Sequence, residues 1–141
     1  MENITIKFIS KNNIEIILPL LKRLNEFTSD DVLKERVKEM AEQNYKCLGV
    51  YCKNELIGIC GLWFLTRHYS GKTIEPDHVI IEPKYRNLGI GKKLFDFIHN
   101  YTKSIDYEAT ELNTYITNTK SHKFYENLNY KKLGFHYLKI F

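Results

Sequence analysis

Apolar and polar positions alternate first over Ile4-Thr5-Ile6-Lys7-Phe8, the period of a strand with one buried face. The period then lengthens. Ile14, Ile17, Leu18, Leu21 and Leu24 recur at helical spacing after a cap at Ser10 or Asn12, and Pro19 is expected to bend or interrupt that helix. Thr28-Ser29-Asp30-Asp31 breaks the pattern and caps a second amphipathic helix carrying Val32, Leu33, Val37, Met40 and Ala41. Residues 46–51 read as a strand, Lys53-Asn54 as a two-residue turn and residues 56–64 as the returning strand, where Gly58 and Gly61 suggest a close backbone neighbour. Tyr69-Ser70-Gly71-Lys72 turns again, into a strand over residues 73–82 with an irregularity expected at Pro76. A helix to about Lys103, a strand over 108–115, a helix from Asn118 to about Leu128 and an extended aromatic segment over 130–141, with a turn or bulge at Gly134, complete the pattern.

The stretch from Asp77 to Leu94 carries the clearest chemistry. Val79, Ile80 and Ile81 favour extended, buried backbone, and Pro83 ends the strand because it cannot donate to a ladder. Gly89 and Gly91 then lead into Leu94, Phe95 and Ile98, one face of a helix. The first N–H groups of a helix lack intrahelical partners and its dipole makes that end partly positive. Glycines expose the bare backbone, and Arg86 adds a forked cation, so the loop suits a phosphate or pyrophosphate. It is not a Walker A loop, since Gly91-Lys92 is followed by Lys93, nor a dinucleotide fingerprint, since Leu94 stands where the third glycine belongs.

Arg86-Asn87-Leu88-Gly89-Ile90-Gly91 after Ile81-Glu82-Pro83 instead resembles the R-x-x-G-x-G acetyl-CoA loop of the GNAT superfamily of N-acetyltransferases. Downstream, Asn118, Ser121, Tyr125 and Glu126 fit that family's N-x-x-A-x-x-x-Y-E-x-x-G-F pattern, with serine for the usual alanine. Asn129-Tyr130 stands where Gly-Phe is usual; asparagine tolerates a left-handed backbone and tyrosine keeps the ring. The resemblance runs from about residue 55 to the end, and the N-terminal third fits by length and pattern alone.

Composition narrows the reading. At 141 residues and 43% hydrophobic, the chain reads as one globular domain, residues 1–141. A net charge of +4 without a clustered basic helix does not point to nucleic acid. Three cysteines without C-x-x-C spacing point to reduced thiols in a cytoplasmic protein rather than disulfides or zinc, and no H-E-x-x-H spacing exists. MENITIKF does not read as a signal peptide, and the longest apolar run is too short to span a bilayer, so no membrane partner is expected.

The resemblance implies an α/β (α+β) fold: a single GNAT-type domain with a mixed, largely antiparallel twisted sheet of six to seven strands and about four helices. It implies acetyl transfer from acetyl-CoA to a primary amine by direct attack in a ternary complex, with no metal. Backbone groups at Ile80 and Ile81 would hold the thioester and pantetheine. Residues Arg86, Asn87, Leu88, Gly89, Ile90, Gly91 and Lys92 would hold the pyrophosphate, Asn118 would touch the pantetheine arm, and Tyr125 would be the general acid to the sulfur. For the base, Asp77 is first choice and Glu75 second, with His78 and Glu111 also in reach; simple alternation puts Glu75 and Asp77 on one face and His78 on the other, unless Pro76 breaks the count. Glu75, Asp77, Glu111, Asp30 and Asp31 together would favour a cationic acceptor, such as a polyamine, an aminoglycoside or a lysine side chain. The family also pairs through late strands or helices, which leaves room for a homodimer. The competing readings are a non-catalytic acyl-CoA-binding or regulatory module with the same fold, and, residue by residue, a solvated turn arginine, a core tyrosine and surface carboxylates.

Overall fold

The computed structural model of the protein describes residues 3–141. Five strands lie in sequence order in one sheet: β1 (Ile4–Phe8), β2 (Tyr45–Cys52), β3 (Glu55–Arg67), β4 (Gly71–Ile81) and β5 (Ala109–Thr110). The first three junctions are antiparallel and the last is parallel, so the sheet is mixed. Among the described residues four α-helices accompany it: α1 (Leu18–Leu21), α2 (Asp30–Ala41), α3 (Ile90–Ser104) and α4 (Thr119–Asn127).

Alternation along the strands divides the core in two. One face joins Tyr45, Cys47, Ile59 and Ile80 to Ile17, Leu21, Leu33 and Val37 from the first two helices. The other joins Leu48, Val50, Cys60, Leu62 and Ile74 to Leu94, Phe95 and Ile98 of α3, with Phe124, Tyr125 and Leu128 of α4 packed alongside.

Local chemistry accounts for the element ends. Lys53 and Asn54 both have positive φ, 50° and 69°, the conformation of a tight hairpin turn between β2 and β3. The Ser29 hydroxyl accepts from the Val32 N–H at 3.3 Å and caps α2. The expected helix around Pro19 is mostly 3-10 turns, Lys11–Ile17 and Lys22–Leu24, with Pro19 in the first turn of the short α1, where its missing N–H costs nothing.

Three expectations need correction. Among the described residues the sheet has five strands and not six to seven. The expected strand over 108–115 shrinks to Ala109–Thr110, so its outer edge offers almost no ladder to a later strand. Residues 131–141 accordingly carry no strand, and their alternating apolar side chains are exposed. The third correction concerns Pro76, which pairs regularly with Leu62. The bulge falls just after it: Gly61 pairs with Asp77 and Ile59 with Ile80, so Cys60 faces both His78 and Val79.

Candidate active site

The sheet opens past Ile74, ahead of the bulge. The parallel ladder between β4 and β5 ends at Ile74 with Thr110, followed by one more bond from the Glu111 N–H to the Ile74 carbonyl at 3.1 Å. From Glu75 to Ile81, β4 has β3 on one side and no ladder to β5 on the other. Ile80 and Ile81 lie at the end of that unpaired edge. Gly58 permits this end of β4 to approach, because a Cβ there would lie 2.9 Å from the Ile80 carbonyl oxygen.

The chain leaves β4 through Pro83–Tyr85 and curls at Asn87 and Gly89, whose φ values are 62° and 79°. Such left-handed residues turn successive N–H groups toward one concavity. No side chain caps the first turn of α3, and the space over Gly89 is empty to 4 Å. Ile90 is buried, Leu88 is half exposed, and Gly91 lies against the Phe124 ring, so α4 packs beside the loop. Arg86 Nε donates to the Ile81 carbonyl at 2.9 Å, tying the loop to the end of β4. Lys92 reaches Asp96 at 2.8 Å. These residues fit an anionic, pyrophosphate-bearing group: uncapped N–H groups, a bare glycine and two cations.

Asn118 caps α4, its Oδ1 accepting from the Ser121 N–H at 3.2 Å. Asn129 has φ of 67°, so it does take the left-handed conformation usual for glycine. Tyr125 is half-buried among Phe95, Phe124 and Tyr130, at ring distances of 5.3, 5.2 and 5.8 Å. Burial raises its phenol above the ordinary value, with smaller contributions from Cys60 and Tyr130, so the hydroxyl holds its proton.

On the opposite face of the sheet, four side chains converge. Trp63 Nε1 donates to Asp77 Oδ2 at 3.0 Å, and the His78 N–H donates to Asp77 Oδ1 at 2.8 Å. His78 Nδ1 stands 3.4 Å from Asp77 Oδ2, and its Nε2 is 2.6 Å from the Tyr45 hydroxyl. The His78 ring nitrogen is the largest cause holding the Asp77 carboxyl down at about 2, against the opposing pull of burial. Gly61 makes room for the ring, since a Cβ there would lie 2.2 Å from it. The close neighbour of Gly61 is thus a side chain, not the backbone expected from the sequence.

Farther along the same face, Arg67 bridges two carboxylates, Glu111 at 2.6 Å and Glu75 at 3.3 Å, and the Tyr69 hydroxyl bonds to Glu111. Burial raises the Glu75 carboxyl above its ordinary range. The structure therefore brings Glu75, Asp77 and Glu111 together. It does not add Asp30, which pairs with Lys22 at 3.2 Å.

Tyr45, Arg67 and the placement of His78 were missed in the sequence. The alternating pattern put His78 on the face opposite Asp77; the bulge at His78 and Val79, with His78 at φ of 36°, swings it to the same face. No pattern of residue types announces that shift. Among the described residues, no group of three or more His, Cys, Asp or Glu is arranged to hold a metal, and no helix is long and apolar enough to cross a membrane.

Comparison with known proteins points the same way. The model of a family described as the acetyltransferase (GNAT) family matches residues 15–130. No curated protein matches the sequence. Among solved structures, a possible acetyltransferase from Clostridium difficile 630 superposes with a TM-score of 0.81 at 20% identity, over 99% of this chain and 97% of that one. The ribosomal-protein-alanine N-acetyltransferase of Brucella melitensis biovar Abortus 2308 superposes with a TM-score of 0.82 at 18% identity, over 99% and 100%. The aminoglycoside N-acetyltransferase AAC(6')-Iy, bound to the bisubstrate analogue CoA-S-monomethyl-acetylneamine, gives 0.82 at 17% identity, over 97% and 98%. At these identities the likeness is one of fold.

Proposed function

Because the chain belongs to the GNAT acetyltransferase family, we propose that it moves an acetyl group from acetyl-CoA to a primary amine on a cationic small molecule. The observation that carries this is the parting of β4 from β5 beyond Ile74, which ends beside the uncapped first turn of α3. A thioester arm entering that gap would meet the edge of β4 that β5 leaves unpaired near Ile80 and Ile81, where Arg86 already holds the Ile81 carbonyl, and its pyrophosphate would meet the loop from Arg86 to Lys92. The amine nitrogen attacks the thioester carbonyl carbon, an amide forms and the carbon–sulfur bond breaks. The amine gives up a proton and the departing sulfur gains one from Tyr125. Two relatives bear on this reading: one acetylates ribosomal-protein alanine by its name, and another holds a CoA-based bisubstrate analogue.

The acceptor class rests on charge. Glu75, Asp77 and Glu111 share one face of the sheet, and Arg67 bonds to Glu75 and Glu111 there. Counted ionised, the four groups sum to −2, which favours an ammonium-bearing substrate.

Arg86 gives the test of the cofactor site. Arg86→Ala removes a cation and the tie to Ile81, and losing a charged hydrogen bond of about 1.5–3 kcal/mol should weaken acetyl-CoA and CoA binding by roughly ten- to a hundredfold. Calorimetric titration of wild type and variant with acetyl-CoA, CoA and ATP reads this directly. Absence of CoA binding to the wild type would reduce the glycine loop to a structural turn.

Two smaller parts of the reading concern setting. Three unpaired, buried thiols support a cytoplasmic protein. The exposed apolar tail, with Phe135, Tyr137, Leu138 and Phe141 each at least 73% exposed, supports a homodimer, because a monomer leaves those side chains in water. Light scattering should return twice the 16.8 kDa chain mass; a monomer at assay concentration ends that assignment.

A further inference from the structure

We propose that Trp63 selects the acceptor: its indole is the platform for a second cationic nitrogen, which stays charged while another nitrogen of the same molecule attacks the thioester. This rests on the acetyl-transfer reading above and narrows its acceptor to amines with at least two basic nitrogens. Trp63 is the one tryptophan of the chain, and the strand register sets it within the acidic face. It pairs with Tyr45 across one ladder and with Glu75 across the other. Its Nε1 donates at 3.0 Å to Asp77, a carboxylate half open to solvent. Tyr45, whose ring packs against it with centroids 4.9 Å apart, is buried, whereas Trp63 itself is half-buried. An indole that only filled the core would gain most by full burial. This one is held in a single orientation, partly in water, between two carboxylates.

Tryptophan is the best of the aromatic rings for holding a cation on its face. The chain uses this attraction for its own lysines, with Lys7 over Tyr51 and Lys46 over Phe8 and Phe64. Among the described residues no cation of the chain lies over Trp63. Arg67, farther along the same strand, is bonded instead to Glu75 and Glu111. The surroundings of Trp63 nevertheless favour a cation more than those of the other rings. The Asp77 carboxyl is held at about 2, chiefly by the hydrogen bond from the His78 ring, so at neutral pH the indole N–H donates to an anion. Such a bond polarises the indole and makes its face more negative.

The platform and the reacting carbon are separate places. Asp77, which holds the indole, precedes Ile80 by three residues of β4, at most about 10 Å of strand. A nitrogen over the indole must keep its proton to be held there, and the attacking nitrogen must lose one. One molecule meets both demands when it carries two basic nitrogens on a chain of comparable length.

The probes are hexamethylenediamine and ethylenediamine, each beside the amino alcohol of the same length. For the wild type the long diamine should exceed its amino alcohol by about 5- to 30-fold in kcat/KM, mostly through KM, and the short diamine should show little of that advantage. Trp63→Leu should remove most of the advantage. Trp63→Phe, which keeps a ring but loses the bond to Asp77, should fall between. Acetyl-CoA binding by calorimetry checks that each variant is folded. In the wild type without acetyl-CoA, the single indole N–H peak of a ¹H–¹⁵N spectrum should shift with hexamethylenediamine and hardly move with aminohexanol. Equal kcat/KM for the long diamine and its amino alcohol, or an advantage that survives in Trp63→Leu, overturns the role of Trp63 and leaves acetyl transfer to amines standing. Acetyl-CoA binding with none of the probes acetylated and the indole peak unmoved overturns the cationic acceptor and the role of Trp63 together.

Discussion

Tyr125→Phe should lower turnover by about 10²–10⁴-fold while leaving acetyl-CoA affinity and the melting temperature nearly unchanged. The asymmetry follows from what the two halves of the side chain do. The ring packs against Phe95, Phe124 and Tyr130, and phenylalanine keeps all three contacts. The hydroxyl makes no hydrogen bond among the described residues, so its removal orphans no partner. What disappears is the proton that the departing sulfur would receive. Because burial lifts this phenol above its ordinary value of about 10, the wild-type acid should remain protonated throughout the neutral range, and any alkaline limb it causes should fall above pH 10. A non-catalytic acyl-CoA-binding module predicts that the substitution does nothing beyond the ring. Steady-state turnover beside calorimetric CoA binding separates the two, and equal turnover in the variant would remove Tyr125 as the acid.

The same residue shows how far the sequence could be read. Local chemistry was legible wherever it depends on a few neighbours. Positive φ at Lys53, Asn54, Gly89 and Asn129, the Ser29 and Asn118 caps, and the strand–loop–helix order around Arg86 all follow from residue types within one turn of chain. What stayed hidden depends on pairing between distant segments. Pro76 marked the right strand but the wrong position, because its place on the ladder is decided by β3 and not by its ring alone. The bulge two residues later reverses the face of His78, and a one-residue slip in a period of two does that to any side chain. The late strands were over-read for a related reason. Alternation in residues 131–141 shows that a segment could be a strand, but a strand also needs an edge, and Ala109–Thr110 supplies only two residues of one. The acidic face was partly legible: Glu75 and Asp77 share it as alternation requires, whereas Arg67, which binds both Glu75 and Glu111, gave no sequence signal beyond its charge.

Phe95→Ala should cost about 3–5 kcal/mol of stability and lower turnover as well, which makes it the second large effect. Phe95 is wholly buried on α3. It meets four rings: Tyr125 at 5.3 Å, Phe124 at 5.7 Å, His99 at 6.0 Å and Tyr130 at 6.3 Å. Helix α4 has no fully buried residue, so these partial contacts are much of what seats it. A cavity at Phe95 therefore loosens the helix that carries both Asn118 and Tyr125. For a domain whose whole stability is about 5–15 kcal/mol, the loss should lower the melting temperature by something on the order of 10 °C. Phe95→Leu refills part of the volume and should recover part of both losses. Urea unfolding with turnover measured well below each variant's transition would show whether stability and activity fall together. A loss of stability under about 1 kcal/mol would mean that α4 is seated chiefly from its C-terminal side, where the Tyr130 hydroxyl bonds to His99 at 2.8 Å and Thr110 at 2.6 Å. In that case Tyr130→Phe, and not Phe95→Ala, would be the substitution that displaces Tyr125.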